Sequence, residues 1–329
     1  MSVLKLPLVA ALISAALPLS SAVEIGGIGL RPGPNDQVSV SRKDWSWRSG
    51  AESFPALNIA MDSGRAAYTI RHDLVTSAGT LGFCVPTTCN WYQSGMISVM
   101  LNGKRLDMAG TDGESIELKE GLDRGSATFS WSHPEADIAF TFVLPRGLNR
   151  IYVEARFTPH IVVEALSVRL LNYPAGFNRE PKHVLHTAER TAAQTGHVPL
   201  AFPADDALLF CDTTLDVAAN PKGAGPCAVV LGQDGLQAGR VRLGGYGTTT
   251  ELTYTPETRR MRFCFWEFAG MSDANALASF RASIPAARKD LLAETLDDVQ
   301  PYVVPASSAV TAVSTKPTST EPKDNLFED

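Results

Sequence analysis

The residues best suited to acid–base chemistry lie in two short stretches of the chain. His183 and His186 occur in KHVLHTAER, and Asp212 and Asp216 occur in LLFCDTTLDV. Paired carboxylates can act as acid and base in glycoside cleavage. In an extended segment the two aspartates share a face, whereas the two histidines face opposite ways. We name these four residues as candidate catalytic groups; solvated carboxylates and a hydrogen-bonded histidine loop are the ordinary alternatives.

Aromatic residues form a second candidate set, for ligand binding. Trp45 and Trp47 lie two apart in DWSWRSG and so share a face of an extended segment. Trp91 and Tyr92 follow the loop GFCVPTTC. Exposed aromatic rings bind the apolar faces of sugars, so we predict these four residues, and Arg190 near the histidine pair, as ligand-binding groups. Core packing explains the same aromatic residues, because large aromatics dominate hydrophobic cores.

The first 22 residues have the pattern of a secretory signal. Lys5 precedes an apolar stretch over residues 6–19, and small residues stand at Ser20 and Ala22. We predict a signal peptide over residues 1–22 and a secreted or periplasmic mature chain. A membrane anchor is the alternative, but the apolar stretch is shorter than the roughly 20 residues needed to cross a bilayer.

The chain has five cysteines. Export would place them in an oxidising compartment, which favours disulfides. Neighbours in sequence predict the bridges Cys84–Cys89 and Cys211–Cys227, with Cys264 as a buried thiol. Spacing alone does not establish the connectivity. A structural zinc site would need a second pair of ligands at a compatible spacing, which the chain does not offer next to Cys84 and Cys89.

Composition narrows the class of partner. The chain has 29 Lys and Arg against 35 Asp and Glu, for a net charge of -6. It therefore lacks the basic surface of a nucleic-acid binder. We find no GxSxG, HExxH, P-loop or intact GxGxxG in a strand-to-helix context. We predict no cofactor, no metal, no membrane span in the mature chain and no nucleic acid, and a glycan or polysaccharide as the partner.

The middle of the chain alternates polar and apolar residues with a period of two. Apolar positions recur at every second residue over 127–131, 138–144 and 151–157, with HPEA and PRGLN between them. Such runs, separated by short turns, predict an antiparallel meander.

Turn residues predict further hairpins. Asn102-Gly103 suits a type I′ turn, because both residues tolerate a positive φ, and Asp62-Ser63-Gly64 is a second turn. A third hairpin is predicted to close at residues 256–258. Its inward residues are Leu252, Tyr254, Phe263 and Phe265.

Helical periodicity appears only late in the chain. Ser272 is a suitable N-cap before Leu277, Phe280 and Ile284, and Pro285 predicts the end of that helix. A second helix is predicted over residues 286–297. The fold is therefore predicted to be mainly all-β: a large antiparallel β-sandwich over residues 23–270, with roughly ten to fifteen strands. A short helical hairpin over 271–298 packs on it, and a disordered tail rich in Pro, Ser and Thr covers 299–329.

The strand-rich middle resembles the β-supersandwich of galactose-mutarotase-like domains. The resemblance covers about residues 40–270 and includes the stretch LNRIYVEARFTPHIVVEALSVRLLNYPAGFN; it rests on strand rhythm and length. It implies a concave sheet that faces a sugar. Epimerases of this family present a His and a Glu base, but no His follows NYPAGFN at a matching place, so no catalytic residue is carried over.

These observations favour an exported carbohydrate-binding or carbohydrate-processing β-sandwich protein. Two alternatives stay open. One is a non-catalytic envelope or matrix protein that binds another protein through a flat apolar surface. The other is a metal-dependent hydrolase.

Overall fold

The computed structural model of the chain describes residues 24–25, 28–29, 38–49, 52–63, 66–73, 81–84, 91, 96–106, 115–174, 182–193, 196–214, 225–245, 247–268 and 271–296. The predicted signal peptide and the predicted tail lie outside these residues, so both remain predictions. Within the described ranges, no helix is long and apolar enough to cross a membrane.

The described residues form twenty-one strands and one long helix, α1 (Asp273–Leu291). The strands are β1 (Glu24–Ile25), β2 (Ile28–Gly29), β3 (Ser39–Ser49), β4 (Glu52–Asp62), β5 (Ala67–Asp73), β6 (Leu81–Cys84), β7 (Ile97–Leu101), β8 (Lys104–Arg105), β9 (Ser115–Lys119), β10 (Arg124–His133), β11 (Ala136–Pro145), β12 (Arg150–Pro159), β13 (Leu166–Asn172), β14 (His183–His186), β15 (Thr191–Ala192), β16 (Gly196–Leu200), β17 (Ala207–Asp212), β18 (Cys227–Leu231), β19 (Leu236–Leu243), β20 (Thr248–Tyr254) and β21 (Arg260–Glu267).

Two large antiparallel sheets carry the fold. One has nine strands in the order β15-β14-β17-β18-β21-β12-β11-β10-β9, and the other has six in the order β16-β19-β20-β13-β7-β8. Their inner faces share one hydrophobic cluster, which includes Phe129 and Phe263 from the first sheet and Val168 and Leu252 from the second. This confirms the predicted all-β sandwich. A four-stranded sheet, β3-β4-β5-β6, packs into the same cluster, and β1 pairs with β2.

The predicted meander is confirmed as β10, β11 and β12, which are consecutive neighbours in the nine-stranded sheet. Phe129 pairs with Phe140, and Phe140 pairs with Ala155. In β10 buried residues alternate with partly exposed ones over most of the strand. The period of two in the sequence thus divides each strand between the core and the outer face.

Two of the predicted turns are confirmed, and the third does not close a hairpin. Asn102 and Gly103 have φ of 49° and 81° between β7 and β8, as a type I′ turn requires. Ser63 lies between β4 and β5, where its N–H donates to the Ala66 carbonyl. The hairpin predicted at residues 256–258 is wrong, because β20 joins the six-stranded sheet and β21 joins the nine-stranded sheet.

The predicted helical hairpin is wrong, because the single helix α1 continues through the predicted break. Ser272 is the N-cap, as predicted, and its side chain accepts from the Asn275 N–H. The helix then continues through Pro285 to Leu291. Pro285 is exposed, whereas Ile284 and Ala287 on either side of it are buried. Packing of the apolar face therefore outweighs the hydrogen bond that proline removes.

Helix α1 lies against the outer face of the nine-stranded sheet and forms a second hydrophobic cluster there. The central strands β17 and β18 are consequently buried on both faces, and every residue in them is buried. This accounts for their continuous apolar sequences, which lack the alternation of β10.

Polar contacts fasten the second half of α1 to the sheet. Arg288 donates to Asp206, with 2.9 Å between Nε and Oδ2. Arg150 Nη2 lies 3.2 Å from Asp290 Oδ2. Arg262, in β21, donates to the carbonyls of Leu291, Ala293 and Glu294 at the end of the helix.

Candidate functional site

His183 and Asp212 are cross-strand partners in β14 and β17. Leu185 and Phe210, two residues along each strand, belong to the interior cluster of the sandwich. Because side chains alternate between the faces of a strand, His183 and Asp212 also face the interior. The structure therefore brings together one predicted histidine and one predicted aspartate, at one end of the nine-stranded sheet.

The imidazole of His183 is buried but has no hydrogen-bond partner among the described residues. The residue is 7% exposed, and neither Nδ1 nor Nε2 is bonded there. Burial lowers the pKa of His183, and the nearby Asp212 carboxylate opposes this effect without reversing it. Near neutral pH the ring is therefore uncharged, with one nitrogen able to donate and the other able to accept.

Asp212 is held in place by its own neighbours. Its Oδ1 accepts from the Lys182 N–H at 2.8 Å, from the Thr214 N–H at 3.0 Å and from the Thr214 hydroxyl at 2.8 Å. Three donors on one oxygen fix the carboxylate at the end of β17. This pre-orients the group beside His183.

The six-stranded sheet also presents polar groups to the interior. Asn172, Thr248 and Thr250 are fully buried, and the Thr248 hydroxyl donates to Asn172 Oδ1 at 2.7 Å. Asn172 Nδ2 and the Thr250 hydroxyl have no partner among the described residues. We call the five residues His183, Asp212, Asn172, Thr248 and Thr250 the polar end of the sandwich.

Trp91 packs against the nine-stranded sheet next to Asp212. The Trp91 ring centroid lies 6.1 Å from that of Phe210 and 4.7 Å from that of Phe265, both edge to face. Phe210 is in β17, two residues before Asp212. The aromatic cluster therefore lies on the strand that carries Asp212.

The prediction that Trp91 binds ligand on an exposed ring face is wrong. Its side chain has no exposed surface, because Phe210 and Phe265 cover it. Its role in this structure is core packing. Tyr92 lies outside the described residues, as do the side chains of Trp45 and Trp47, whose backbone forms part of β3. For these three residues ligand binding stays a prediction.

The remaining predicted residues are placed elsewhere. His186 lies on the helix-facing side of β14, where its Nδ1 is 2.8 Å from the Thr191 hydroxyl; burial lowers its pKa, and Arg281 adds to the effect. Arg190 binds Asp205, with 3.1 Å between Nε and Oδ2. Its guanidinium thus fastens one loop to another. Asp216 lies outside the described residues.

The predicted disulfide between Cys211 and Cys227 is wrong, and both residues are free thiols, as is Cys264. Cys227 pairs with Phe210 and faces the interior, whereas Cys211, the next residue along β17, faces the helix. The sheet separates their side chains. The predicted bridge between Cys84 and Cys89 remains a prediction, because Cys89 and the side chain of Cys84 are not described.

The sequence carried a signal for the residues that we missed. Asn172, Thr248 and Thr250 occupy the same inward-facing positions of β13 and β20 as the core residues Leu170 and Leu252. Polar residues at the core positions of an apolar strand are unusual, since buried polar groups need partners. Among the described residues, no group of three or more His, Cys, Asp or Glu could hold a metal ion.

No protein-family model and no curated protein matches the chain. Among solved structures, an α-N-acetylgalactosaminidase from Bifidobacterium bifidum in complex with GalNAc matches at 9% identity with a TM-score of 0.45, over 75% of this chain and 40% of that one. A human-microbiome protein provisionally assigned as a kojibiose phosphorylase matches at 10% identity with a TM-score of 0.33, over 71% of this chain and 27% of that one.

A protein from Escherichia coli K12, provisionally assigned as an aldose 1-epimerase, matches at 8% identity with a TM-score of 0.27, over 69% of this chain and 99% of that one. The weak galactose-mutarotase-like resemblance stated from the sequence is thus found among these matches. The chain spans well under half the length of the glycosidase and of the phosphorylase. Similarity at this level assigns neither an activity nor a site residue to the chain.

Proposed function

We propose that the protein binds carbohydrate at the polar end of its sandwich. The observation that carries this proposal is the pair of buried, unbonded nitrogens of His183 beside the fixed carboxylate of Asp212. Each buried polar group without a partner costs about 1–3 kcal/mol. A ligand rich in hydroxyl groups can donate to one of these nitrogens and accept from the other.

The other groups of the polar end suit the same class of ligand. Asn172 Nδ2 is an unbonded donor, and the Thr250 hydroxyl can both donate and accept. These groups are uncharged, as are the hydroxyl groups of a neutral sugar. The aromatic cluster of Trp91, Phe210 and Phe265 supplies apolar surroundings next to Asp212, which follows Phe210 by two residues in β17. Sugar sites commonly combine oriented polar groups with an apolar wall.

The finer proposal is that the protein processes a carbohydrate after export. The neutral imidazole of His183 can accept a proton, and the carboxylate of Asp212 lies on the neighbouring strand, where it can stabilise the resulting imidazolium. Asp216 stays a candidate for a second carboxylate. Export rests on the pattern of residues 1–22.

A pair of histidine variants tests the site. We expect His183→Ala to weaken binding of the best ligand on a glycan array by at least about tenfold, since a buried hydrogen bond to a ligand contributes roughly this much. His186→Ala is the matched control, because this histidine lies on the same strand and faces the helix. Calorimetric titration of wild type and both variants gives the affinities.

The comparison with His186→Ala also shows which results would contradict the proposed site. Equal loss in both variants would mean a general effect on β14, and unchanged binding in His183→Ala would exclude the polar end as the site. If no glycan binds the wild type, the alternative of a protein-binding envelope or matrix protein is favoured. If a glycan is turned over, Asp212→Asn is expected to lower kcat more than it raises KM.

A further inference from the structure

A groove of about 370 Å³ lies on the nine-stranded sheet, away from the polar end. Its lining consists of three residues from each of β10, β11 and β12, and no residue of the six-stranded sheet is among them. The outward-facing members are Ser130, Ser132, Asp137, Ala139, Arg156 and Thr158. The residues between them, Trp131, Ile138 and Phe157, belong to the core. The groove therefore opens on the outer face, on the opposite side of the sheet from the sandwich interior.

The strand register arranges these side chains in two rows. Ser130, Ala139 and Arg156 are aligned across the three strands, and Ser132, Asp137 and Thr158 form the next row. Ala139 in the centre of the first row has the smallest side chain, which leaves the floor of the groove open. Hydroxyl groups surround it, with a guanidinium at one side and a carboxylate at the other. The volume is within the range of about 300–1,000 Å³ that is typical of ligand sites.

The charges next to the groove favour an anion. Arg156 and Arg260 are direct cross-strand partners in β12 and β21, and like charges in this position repel. Glu154 accepts from Arg156 Nε, but it is also bound by Arg262, 2.7 Å away. Asp234 reaches Arg260 only at 3.6 Å. The two terminal nitrogens of Arg156 donate to none of the described residues. A negative group placed there would relieve the repulsion.

The carboxylate of Asp137 is directed to a different part of the ligand. It accepts from Ser132 at 2.5 Å and lies 3.2 Å from His160 Nε2. It is in the second row, diagonal to Arg156. The groove is therefore cationic at one corner and accepts hydroxyl donors at the other.

We propose that this groove binds an acidic saccharide unit, with the ligand carboxylate at Arg156 and its hydroxyl groups at Ser130, Thr158 and Asp137. Arginine and carboxylate can pair through two parallel hydrogen bonds, which adds orientation as well as affinity. The site is separate from the polar end and does not depend on a role for His183. It predicts that the groove selects acidic over neutral saccharides.

The test uses the full chain and three probes: galacturonate, its trisaccharide and the neutral galactose trisaccharide. We expect the acidic trisaccharide to bind at least about tenfold more tightly than the neutral one, since charge-assisted hydrogen bonds are about twice as strong as neutral ones. Arg156→Gln is expected to remove this preference. The galacturonate monosaccharide shows whether one unit is sufficient.

Three further variants make the result specific. Arg240→Gln is the matched control, because Arg240 is also an exposed arginine paired with a glutamate, Glu251, but on the six-stranded sheet. Ala139→Leu fills the floor without changing charge and is expected to weaken binding as well. His183→Ala is expected to leave the acidic preference intact.

The proposal is overturned by any of four results. These are equal or absent binding of the two trisaccharides by the wild type, equal losses in the Arg156 and Arg240 variants, retained preference in Arg156→Gln, and loss of acidic binding in His183→Ala. The last result would assign the ligand to the polar end. Arg156→Gln is expected to fold, because Glu154 keeps its contact with Arg262.

Discussion

The hydroxyl of Tyr152 accepts from Arg150 Nε at 2.7 Å and donates to Asp290. Burial raises the pKa of Tyr152 well above its usual range, so the phenol stays protonated and can donate. On this helix-facing side of the sheet, buried polar groups bond to one another. On the interior side, His183 has no such partner among the described residues. This contrast supports our proposal that His183 serves a ligand and not the fold.

We expect Asp290→Ala to lower the free energy of unfolding by about 3–5 kcal/mol, because it leaves the buried Arg150 guanidinium without its carboxylate. Asp234→Ala is the control, since Asp234 is 68% exposed and its contact with Arg260 is long. An exposed pair of this kind contributes at most about 1 kcal/mol. Urea unfolding measures both. Similar losses in the two variants would contradict the assignment.

At this scale the sequence predicted residue type better than environment. His183 and Asp212 were recognised because both can transfer protons, and the structure makes them neighbours. The disulfide predicted for Cys211 is wrong because spacing does not reveal which side of a sheet a residue faces when both sides are covered. In β17, where helix and core cover both faces, that information is absent from the pattern.

Helix α1 continues past Pro285, although a proline usually ends a helix. Pro285 interrupts the hydrogen-bond ladder, yet Ala276, Phe280, Ile284, Ala287 and Leu291 form one buried stripe along the whole helix. Arg262 then binds the carbonyls at its end. The period of the stripe was visible in the sequence. Its continuity across the proline depends on the sheet beneath it, which only the assembled fold supplies.

Replacing the proline should stabilise the protein. Pro285→Ala restores an N–H donor and a residue of high helix propensity at an exposed position, so we expect a gain of up to about 3 kcal/mol. Chemical denaturation followed by circular dichroism at 222 nm measures it. Ala286→Gly, at the exposed neighbouring position, is the opposite control, with an expected loss of about 1 kcal/mol. A loss in Pro285→Ala would mean that the proline ring itself contributes to packing.

The connection between β20 and β21 shows that a sequence can predict two strands correctly without predicting which strands they pair with. Both strands and the inward residues Leu252, Tyr254, Phe263 and Phe265 are as predicted, and all four are buried. The turn between them reverses the chain, which is also the signature of a hairpin. Here the strands join different sheets, because β21 pairs with β12 and β18 while β20 pairs with β13 and β19. Long-range pairing decides the partners.

Considered as a whole, the molecule should lose stability in acid in two steps. Burial lowers the pKa of His183 and of His186, whereas in the unfolded chain both bind protons at about pH 6.5. Burial acts to raise the pKa of Asp205, but hydrogen bonds from Arg190, Ala201 and Thr187 lower it overall. Protonation of the two histidines therefore destabilises the fold in weak acid, and protonation of Asp205 destabilises it further at a lower pH.

We expect the free energy of unfolding to fall as pH decreases below about 6.5, because the unfolded state then binds more protons than the folded state. Each histidine contributes a slope of at most about 1.4 kcal/mol per pH unit. A further decline begins below about pH 4, where protonation removes the stabilisation from Asp205. Urea titrations from pH 3 to 8 test this. His183→Gln should reduce the slope near pH 6, and an unchanged slope would count against a buried neutral imidazole.

The three free thiols have a consequence for measuring how the fold opens. Cys211, Cys227 and Cys264 belong to β17, β18 and β21, which are adjacent in the centre of the nine-stranded sheet. Burial raises the pKa of all three, to about 12 for Cys264, so the reactive thiolate is scarce in the folded protein. Alkylation at these positions, resolved by peptide mass spectrometry, therefore requires the sheet to separate. Its rate reports the opening of the central strands without any engineered probe, and parallel rates at the three positions would identify them as one cooperative unit.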